Sequence, residues 1–257
     1  MVNYISAKNN NKLSAERPEG TKINTIVITY SSTEGNINKA VTTMFERGTS
    51  VHYTIKIDGF QDQHHSESQK AFYAGASHWH GKYGVNDYGI GIMLINDAKT
   101  PFTDLQISKL IDTINDIQIR HNTTMDVVGL GEVNKAHIAP GIFFPWNKLA
   151  EAGIGKSITL ASDIDRSCKI NLGDSGEQVI NLQQKLQDYG YQIEATGVYD
   201  NITAKFAKNF ANRYVPETDA DTLSNFAESH TVCWNDATEY ALNAILGVDN
   251  NSITDEL

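Results

Sequence analysis

The chain has 257 residues, of which 40% are hydrophobic, and its formal net charge is −10 at pH 7. These values are typical of a globular protein with one large domain or two smaller ones. Acidic side chains outnumber basic ones mainly in residues 156–257, so we do not expect the chain to bind nucleic acid through a basic face. Its apolar runs are shorter than the roughly 20 residues that a membrane helix requires, so no membrane span is expected.

The start of the chain, MVNYISAKNNNKL, lacks the apolar segment of a secretion signal. As written, the sequence therefore predicts a cytoplasmic protein. A location in the cell envelope or outside the cell stays open if a leader is removed or export follows another route.

The first part of the chain alternates predicted strands with predicted helices. Buried strands are predicted at NTIVITY, SVHYTIKIDG, GIGIMLIN and DVVGL. Helices are predicted over residues 36–47, over TDLQISKLIDTINDIQIRH and within FFPWNKLAEAGIG, and Thr103 and Gln106 fit a capping box for the second of these. Residues 60–88 are predicted to form a loop. The alternation predicts an α/β fold with a mixed central sheet flanked by helices.

The second part has a different character. Residues 156–172 show no period and are predicted to be a linker. GDSGEQVINLQQKLQDYGY then predicts a helix whose first turn is capped by Asp174 and Glu177, and NITAKFAKNFANRY predicts another that is capped by Asp200. Two more short helices are predicted beyond these. We therefore expect a small all-α domain behind the α/β domain.

Cys168 and Cys233 are the only cysteines of the chain. Because no C-x-x-C pair exists, a cysteine zinc site is excluded. We expect two free thiols, and a disulfide between them stays open.

Several motifs, in the right order, resemble one enzyme family. SVHYTIKIDG is similar to that family's SAHYLI…DG, AFYAGASHWHG to AWHAGVSYWRG, VNDYGIGIMLIN to LNDTSIGIEIVN, and APGIFFPWNKLAEAGIG to DPGPLFPWARLAAAGIG. The family is that of the zinc-dependent N-acetylmuramoyl-L-alanine amidases, which also includes the peptidoglycan recognition proteins. The second part resembles the three-helix peptidoglycan-binding domain often fused behind them. The resemblance implies an amidase-like domain (1–155), a linker (156–172) and a peptidoglycan-binding-like helical domain (173–257).

The resemblance also implies a chemistry. In the family, two histidines and an aspartate hold a zinc ion that activates water against the lactyl–L-alanine amide, and a glutamate handles the proton. This chain has other residues at the matching positions: Thr29 and Leu130 for the histidines, Ala139 for the aspartate, Met93 for the glutamate, and Tyr73 for the histidine of the WHAG motif. A threonine hydroxyl is a poor zinc ligand, and leucine and alanine have no donor atom. We therefore expect no catalytic residues, no metal and no cofactor.

Histidines elsewhere leave a rearranged metal site open. The local sequence HIAPG imitates the family's DIAPG and could bring His137 close to the old site. His78 and His80 have a usable ligand spacing, but a solvated groove rim is the favoured interpretation because a third ligand is missing. His52 is expected to be a hydrogen-bonded residue of the core or the groove.

Aromatic residues cluster in the loop-rich segment at Tyr73, Trp79, Tyr83 and Tyr88. Flat aromatic faces suit sugar rings and peptide stems, so we expect a ligand groove there. The predicted groove residues are Tyr30, His52, Tyr73, Ser77, Trp79 and Asn86.

The leading hypothesis is a pseudoenzyme, a catalytically inactive amidase-like protein of the bacterial cell wall that binds peptidoglycan or muropeptides or serves as a scaffold. The alternative is an active amidase with a rearranged metal site drawn from His137, His78 or His80. A second alternative is a protein–protein interaction module.

Overall fold

The computed structural model describes residues 3–4, 13–33, 36–97, 99–216 and 233–248. The strands are β1 (Asn3–Tyr4), β2 (Ser14–Glu16), β3 (Thr25–Tyr30), β4 (Tyr53–Ile55), β5 (Gln61–Gln63), β6 (Gln69–Ala71), β7 (His78–Trp79), β8 (Lys82–Tyr83), β9 (Gly89–Leu94) and β10 (Asp126–Gly129). The helices are α1 (Ile37–Glu46), α2 (Val85–Tyr88), α3 (Asp104–His121), α4 (Leu130–Val133), α5 (Trp146–Glu151), α6 (Glu177–Tyr189), α7 (Asn201–Tyr214) and α8 (Asp236–Leu246).

A mixed six-stranded sheet forms the centre of the first part, in the order β1-β5-β4-β9-β3-β10. Strands β4, β9, β3 and β10 are parallel, and β5 runs antiparallel to β4. The predicted α/β class with a mixed central sheet is thus confirmed. Because the parallel strands share a direction, the residues at their carboxyl ends meet at one edge of the sheet, with Thr29 directly beside Met93.

The two faces of the sheet are buried by different partners. Ile26, Ile28 and Ile92 face α3, whose Leu110 and Ile114 are fully buried against them. The alternate positions, such as Val27 and Val128, belong to a second cluster that continues into the C-terminal helices. Full burial of one such side chain stabilises the fold by about 1.5–3 kcal/mol. Both faces of the sheet therefore gain stability from the helices that cover them.

Helices α6, α7 and α8 form the helical lobe, which we define as residues 173–216 and 233–248. Asp200 caps α7 as predicted, since its Oδ1 accepts a hydrogen bond from the Thr203 amide at 2.8 Å. The predicted capping of α6 is wrong: its N-cap is Gly176, and Asp174 instead accepts from the Asn171 amide at 2.7 Å. Of the two short helices predicted at the end, one is α8 and the other falls on residues 217–232, outside the described residues.

The expectation of two free thiols is wrong, because Cys168 and Cys233 form a disulfide. Their α-carbons lie 5.5 Å apart although 65 residues separate them in sequence. A short antiparallel bridge brings them together: the Trp234 amide donates to the Ile170 carbonyl at 2.9 Å, and the Ile170 amide donates back at 3.2 Å. The predicted linker is therefore fastened to the helical lobe at its end.

A buried ion pair joins the two parts of the chain. Arg213 of α7 contacts Glu132 of α4 at 2.8 Å, with side chains that are only 8% and 3% exposed. Glu132 also accepts from the Tyr189 hydroxyl at 2.8 Å and from the Gly129 amide at 2.6 Å. The guanidinium lies 4.2 Å from the ring centre of Trp146. The helical lobe is consequently packed against the first domain as part of one core.

Within the described ranges, no helix combines the length and the apolar character that crossing a membrane requires.

Candidate functional site

A cavity of about 420 Å³ lies at the carboxyl ends of β3, β9 and β10, beside α1. We call it the sheet-end groove. The five positions at which the chain departs from the amidase motifs all line it, although they are up to 110 residues apart in sequence. They are Thr29, Tyr73, Met93, Leu130 and Ala139.

The backbone holds these positions close together. Gly129 pairs with Ile28, so Leu130 follows directly beside Thr29. The Gly131 amide donates to the Ala139 carbonyl at 2.8 Å. A Cβ at Gly129 would lie 2.8 Å from that same carbonyl oxygen, so only glycine fits this approach. Positions 29, 130 and 139 therefore face one small volume.

The donor set at this place does not fit zinc. Thr29, Met93, Leu130 and Ala139 are each less than 8% exposed and carry no charged or nitrogen ligand. Across the part of the chain that the structure describes, no group of three or more His, Cys, Asp or Glu side chains could hold a metal ion. Zinc in proteins is bound by such side chains, so we derive no chemical step through a metal here.

The rest of the groove is rich in hydroxyl groups, which include those of Ser31, Thr43 and Thr49. Arg47, at the end of α1, is the only permanently charged side chain among the lining residues of the described structure. His137 also lines the groove, and the loss of surrounding water together with the nearby Lys205 charge lowers its pKa. Arg47 is not among the predicted groove residues. The sequence predicts that it ends a helix over residues 36–47, but it does not indicate that its side chain lines the groove.

Two of the six predicted groove residues line the sheet-end groove, Tyr30 and Tyr73. Tyr73 is 8% exposed, and among the described residues its buried hydroxyl has no hydrogen-bond partner. Burial accordingly raises its pKa. The Tyr73 phenol therefore stays protonated at neutral pH.

The other four predicted groove residues are not among the residues that line this cavity. The Ser77 hydroxyl accepts from the Val85 amide at 3.1 Å. Asn86 accepts from the Ala74 amide at 2.9 Å. Trp79 packs against Tyr189 of the helical lobe, with ring centres 5.6 Å apart. These three residues shape the loop over residues 72–88 from within, and His52, the fourth, lies in the core.

His52, which directly precedes β4, is fully buried. Its Nδ1 accepts from the Gly91 amide at 3.0 Å, and its Nε2 lies 3.0 Å from the Gln69 carbonyl, which fits a neutral ring protonated on Nε2. Arg17 approaches Nε2 to 3.3 Å. Desolvation, opposed in part by the Gln69 carbonyl, lowers the pKa of His52 to about 3.

This burial makes stability depend on pH. The pKa of His52 is about 3 in the folded chain, against an ordinary value of 6.5. Its contribution is therefore fully present above pH 6.5 and is lost as the pH falls toward 3, by about 1.4 kcal/mol per pH unit. The partly buried His64, whose pKa is lowered to about 4, adds to the pH dependence of wild type in the same range. We therefore expect the free energy of unfolding, measured by urea denaturation, to fall more steeply between pH 6 and 4 in wild type than in His52→Gln, by about 1.4 kcal/mol per pH unit. A His52 ring that titrates near pH 6.5 in NMR spectra of the folded protein would contradict the prediction.

The histidines proposed for a rearranged metal site do not converge. His137 lies at the groove, whereas the His78 ring packs against Tyr83 with centres 4.9 Å apart. The His80 amide donates to the Gly190 carbonyl at 3.2 Å, at the helical lobe. His78 and His80 thus belong to the junction between the two parts.

Two family models match the chain. The model described as N-acetylmuramoyl-L-alanine amidase matches residues 19–142. The model described as a putative peptidoglycan binding domain matches residues 175–210. The first match contains the groove and every strand of the central sheet except β1, and the second contains α6 and most of α7.

Curated relatives and solved structures agree with these matches. A putative N-acetylmuramoyl-L-alanine amidase of Rickettsia conorii is 41% identical over 256 residues, which cover 95% of this chain and 93% of the relative. The N-acetylmuramoyl-L-alanine amidase AmiD of Escherichia coli is 31% identical over 52% of this chain and 54% of its own length.

Among solved structures, E. coli AmiD in complex with the substrate anhydro-N-acetylmuramic acid-L-Ala-D-γ-Glu-L-Lys has a TM-score of 0.66 at 23% identity, covering 91% of this chain and 94% of that chain. AmpDH3 from Pseudomonas aeruginosa, in complex with an anhydromuramic pentapeptide, has a TM-score of 0.65 at 21% identity, covering 95% and 98%. At these identities the likeness establishes the shared fold.

Proposed function

The chain belongs to the N-acetylmuramoyl-L-alanine amidase family, and from this premise we propose that it binds peptidoglycan or its muropeptide fragments in the sheet-end groove without cleaving them. The observation that carries the proposal is the set of side chains at the carboxyl ends of β3, β9 and β10. Thr29, Leu130 and Ala139 lie where the family resemblance requires the zinc ligands, and they line one cavity.

The packing of these residues supports an apolar rather than an ionic site. Met93, Leu130 and Ala139 belong to the same buried cluster as Val128 and Val133. A carboxylate at such a position without a metal would cost several kcal/mol or become protonated. The three side chains are therefore compatible with a groove that holds its shape without a metal.

The charge of the groove supports an anionic ligand. Arg47 supplies a permanent positive charge, and the described lining contains no carboxylate to oppose it. Hydroxyl groups surround it, and an extended ligand can hydrogen-bond to them. The substrate in the E. coli AmiD structure includes a D-γ-Glu residue, whose free carboxylate is the kind of group that an arginine binds well.

Zinc content, hydrolysis and sedimentation with purified peptidoglycan test the proposal together. We expect far less than one zinc ion per chain after incubation with zinc and dialysis, and no peptide release from anhydro-N-acetylmuramic acid-L-Ala-D-γ-Glu-L-Lys. We also expect the chain to sediment with peptidoglycan sacculi. E. coli AmiD serves as the active control. Zinc near one per chain together with amide cleavage would overturn the proposal, and failure to sediment would favour a protein partner.

An active amidase is the second candidate, and the comparisons favour it. The Rickettsia conorii relative, which is described as a putative amidase, aligns with this chain almost end to end. Of His78, His80 and His137, only His137 lines the groove, so an active enzyme would depend on it. If cleavage is detected, we expect His137→Ala to abolish it; activity that survives this change would place the chemistry elsewhere.

A further inference from the structure

We propose that Asn209 of the helical lobe is a positioning residue for the sheet-end groove, so that α7 supports ligand binding by the first domain. This role rests on the proposed function, since the ligand is the muropeptide proposed for the groove. Asn209 is not among the described residues that line the groove. It acts through residues 130–139, which we call the groove segment.

The groove segment supplies one wall of the groove. Helix α4 covers its first four residues, and residues 134–139 belong to no helix or strand. The segment therefore lacks the ladder of hydrogen bonds that fixes the ends of β3 and β9, and its position depends on contacts with its surroundings. Five lining residues come from it: Leu130, Ala136, His137, Ile138 and Ala139.

The side chain of Asn209 holds the groove segment at two places. It is 5% exposed, and its Nδ2 donates to the Gly131 carbonyl at 2.8 Å and to the His137 carbonyl at 3.4 Å. The Gly131 amide donates in turn to the Ala139 carbonyl at 2.8 Å. One side-chain amide of the helical lobe thus ties together both ends of the segment.

The approach between Asn209 and the segment is too close for any residue but glycine at position 131. A Cβ at Gly131 would lie 2.5 Å from the Asn209 Oδ1 and 2.8 Å from its Cγ. Asn209 cannot move aside freely, because Phe206 and Phe210 on the same helix are at most 1% exposed and fix α7 in the core. A side chain at position 131 would therefore displace the Asn209 amide and its hydrogen bonds.

One face of α7 follows the groove segment. Lys205, Asn209 and Arg213 are spaced four residues apart, which places them on one side of a helix. Arg213 pairs with Glu132 at 2.8 Å, and the charge of Lys205 contributes to the lowered pKa of His137. The segment consequently rests on α7 along its length, and Asn209 lies at the middle of the contact.

A double-mutant cycle between Asn209 and Gly131 tests the proposal, with the affinity of the full chain for anhydro-N-acetylmuramic acid-L-Ala-D-γ-Glu-L-Lys as the readout. We expect Asn209→Ala to weaken binding about tenfold, as the loss of one hydrogen bond that holds the wall implies. Gly131→Ala is expected to have a similar effect, because it displaces the same amide. Since both changes act through one contact, the double variant is expected to bind about tenfold rather than about a hundredfold more weakly.

Asn243→Ala is the matched control. Asn243 is a 1% exposed asparagine of the same lobe, and it lies in α8, away from the groove segment. This variant is expected to bind the muropeptide as wild type does. Thermal melting of all variants checks that affinity is compared between folded proteins.

Hydrogen exchange gives a second readout that needs no ligand. The Gly131 amide donates to the Ala139 carbonyl, and the His137 amide donates to the Asn134 carbonyl at 3.0 Å. We expect both amides to exchange about tenfold faster in Asn209→Ala than in wild type, while the amides of β3 keep their rates.

Unchanged affinity or unchanged exchange in folded Asn209→Ala would overturn the proposal, and so would independent losses that multiply in the double variant. If Asn209→Ala does not fold, Gly131→Ala tests the same contact from the first domain, and wild-type affinity and exchange in that variant would overturn the proposal. Wild type that does not bind the muropeptide would refute the proposed function, whereas the exchange rates would still decide whether Asn209 positions the groove segment.

Discussion

A variant that carries Thr29→His, Leu130→His and Ala139→Asp together is expected to bind one zinc ion per chain, whereas wild type is expected to bind none. The three positions line one groove, and the backbone around Gly131 and Ala139 already holds them close. Two imidazoles and a carboxylate with an open fourth position form a normal zinc site. Zinc binding to a complete ligand set is worth on the order of 10 kcal/mol at pH 7, so the metal should survive dialysis.

Elemental analysis of the dialysed variant measures the effect, and the rise of its melting temperature with added zinc gives a second reading. Thr29→His alone is expected to bind no zinc, because Leu130 and Ala139 still offer no donor. Adding Met93→Glu to the triple variant supplies the group that handles the proton, and this fourfold variant is the one in which amide cleavage is expected. A correctly folded triple variant without zinc would show that the groove no longer has the amidase geometry.

Arg213→Met is expected to lower the free energy of unfolding by about 3–5 kcal/mol, because it leaves the carboxylate of Glu132 buried without its cation. Burial alone would lower the pKa of Arg213, but the Glu132 carboxylate outweighs it and keeps that pKa above its ordinary value. The guanidinium also donates to the Val127 carbonyl at 3.0 Å, which loses its partner in the variant. Urea denaturation at neutral pH measures the loss.

The double variant Glu132→Gln/Arg213→Met separates charge from packing. It is expected to recover much of the lost stability, because no unpaired charge remains in the interface. Lys148→Met is the matched control: its partner is Asp104 and the pair is exposed, so little change is expected. If Arg213→Met is as stable as wild type, the ion pair does not stabilise the packing of the helical lobe against the first domain.

Local sequence patterns were sufficient to predict the long strands and helices of the fold. β3 is built around the apolar run of Ile26, Val27 and Ile28, and β9 contains no polar side chain. Helix α3 has the capping box that its sequence predicts, with the Thr103 hydroxyl accepting from the Gln106 amide at 3.2 Å. The sequence analysis missed the strands in the predicted loop over residues 60–88. The four strands there, β5 to β8, have only two or three residues each, which is too short to show a period. Such strands exist only through pairing with a neighbour.

A residue of the candidate site can be located from the sequence when a motif assigns it to a particular position on a strand. The motifs put Thr29 and Met93 on two predicted strands, and the structure pairs these strands so that the two residues lie side by side. The surroundings of His52 and Trp79, in contrast, come from distant parts of the chain. Arg17 lies beside His52 from 35 residues away in sequence, and Tyr189 packs on Trp79 from the helical lobe. Packing of this kind has no signal in a local pattern.

The disulfide between Cys168 and Cys233 makes residues 168–233 a covalent ring that contains both α6 and α7. A protease that cuts the backbone once within this ring leaves a single molecule, since both fragments stay joined through the two sulfur atoms. Disulfides persist in oxidising surroundings and are reduced in the cytosol. The helical lobe can thus be nicked outside a reducing compartment and still remain attached to the domain that it covers.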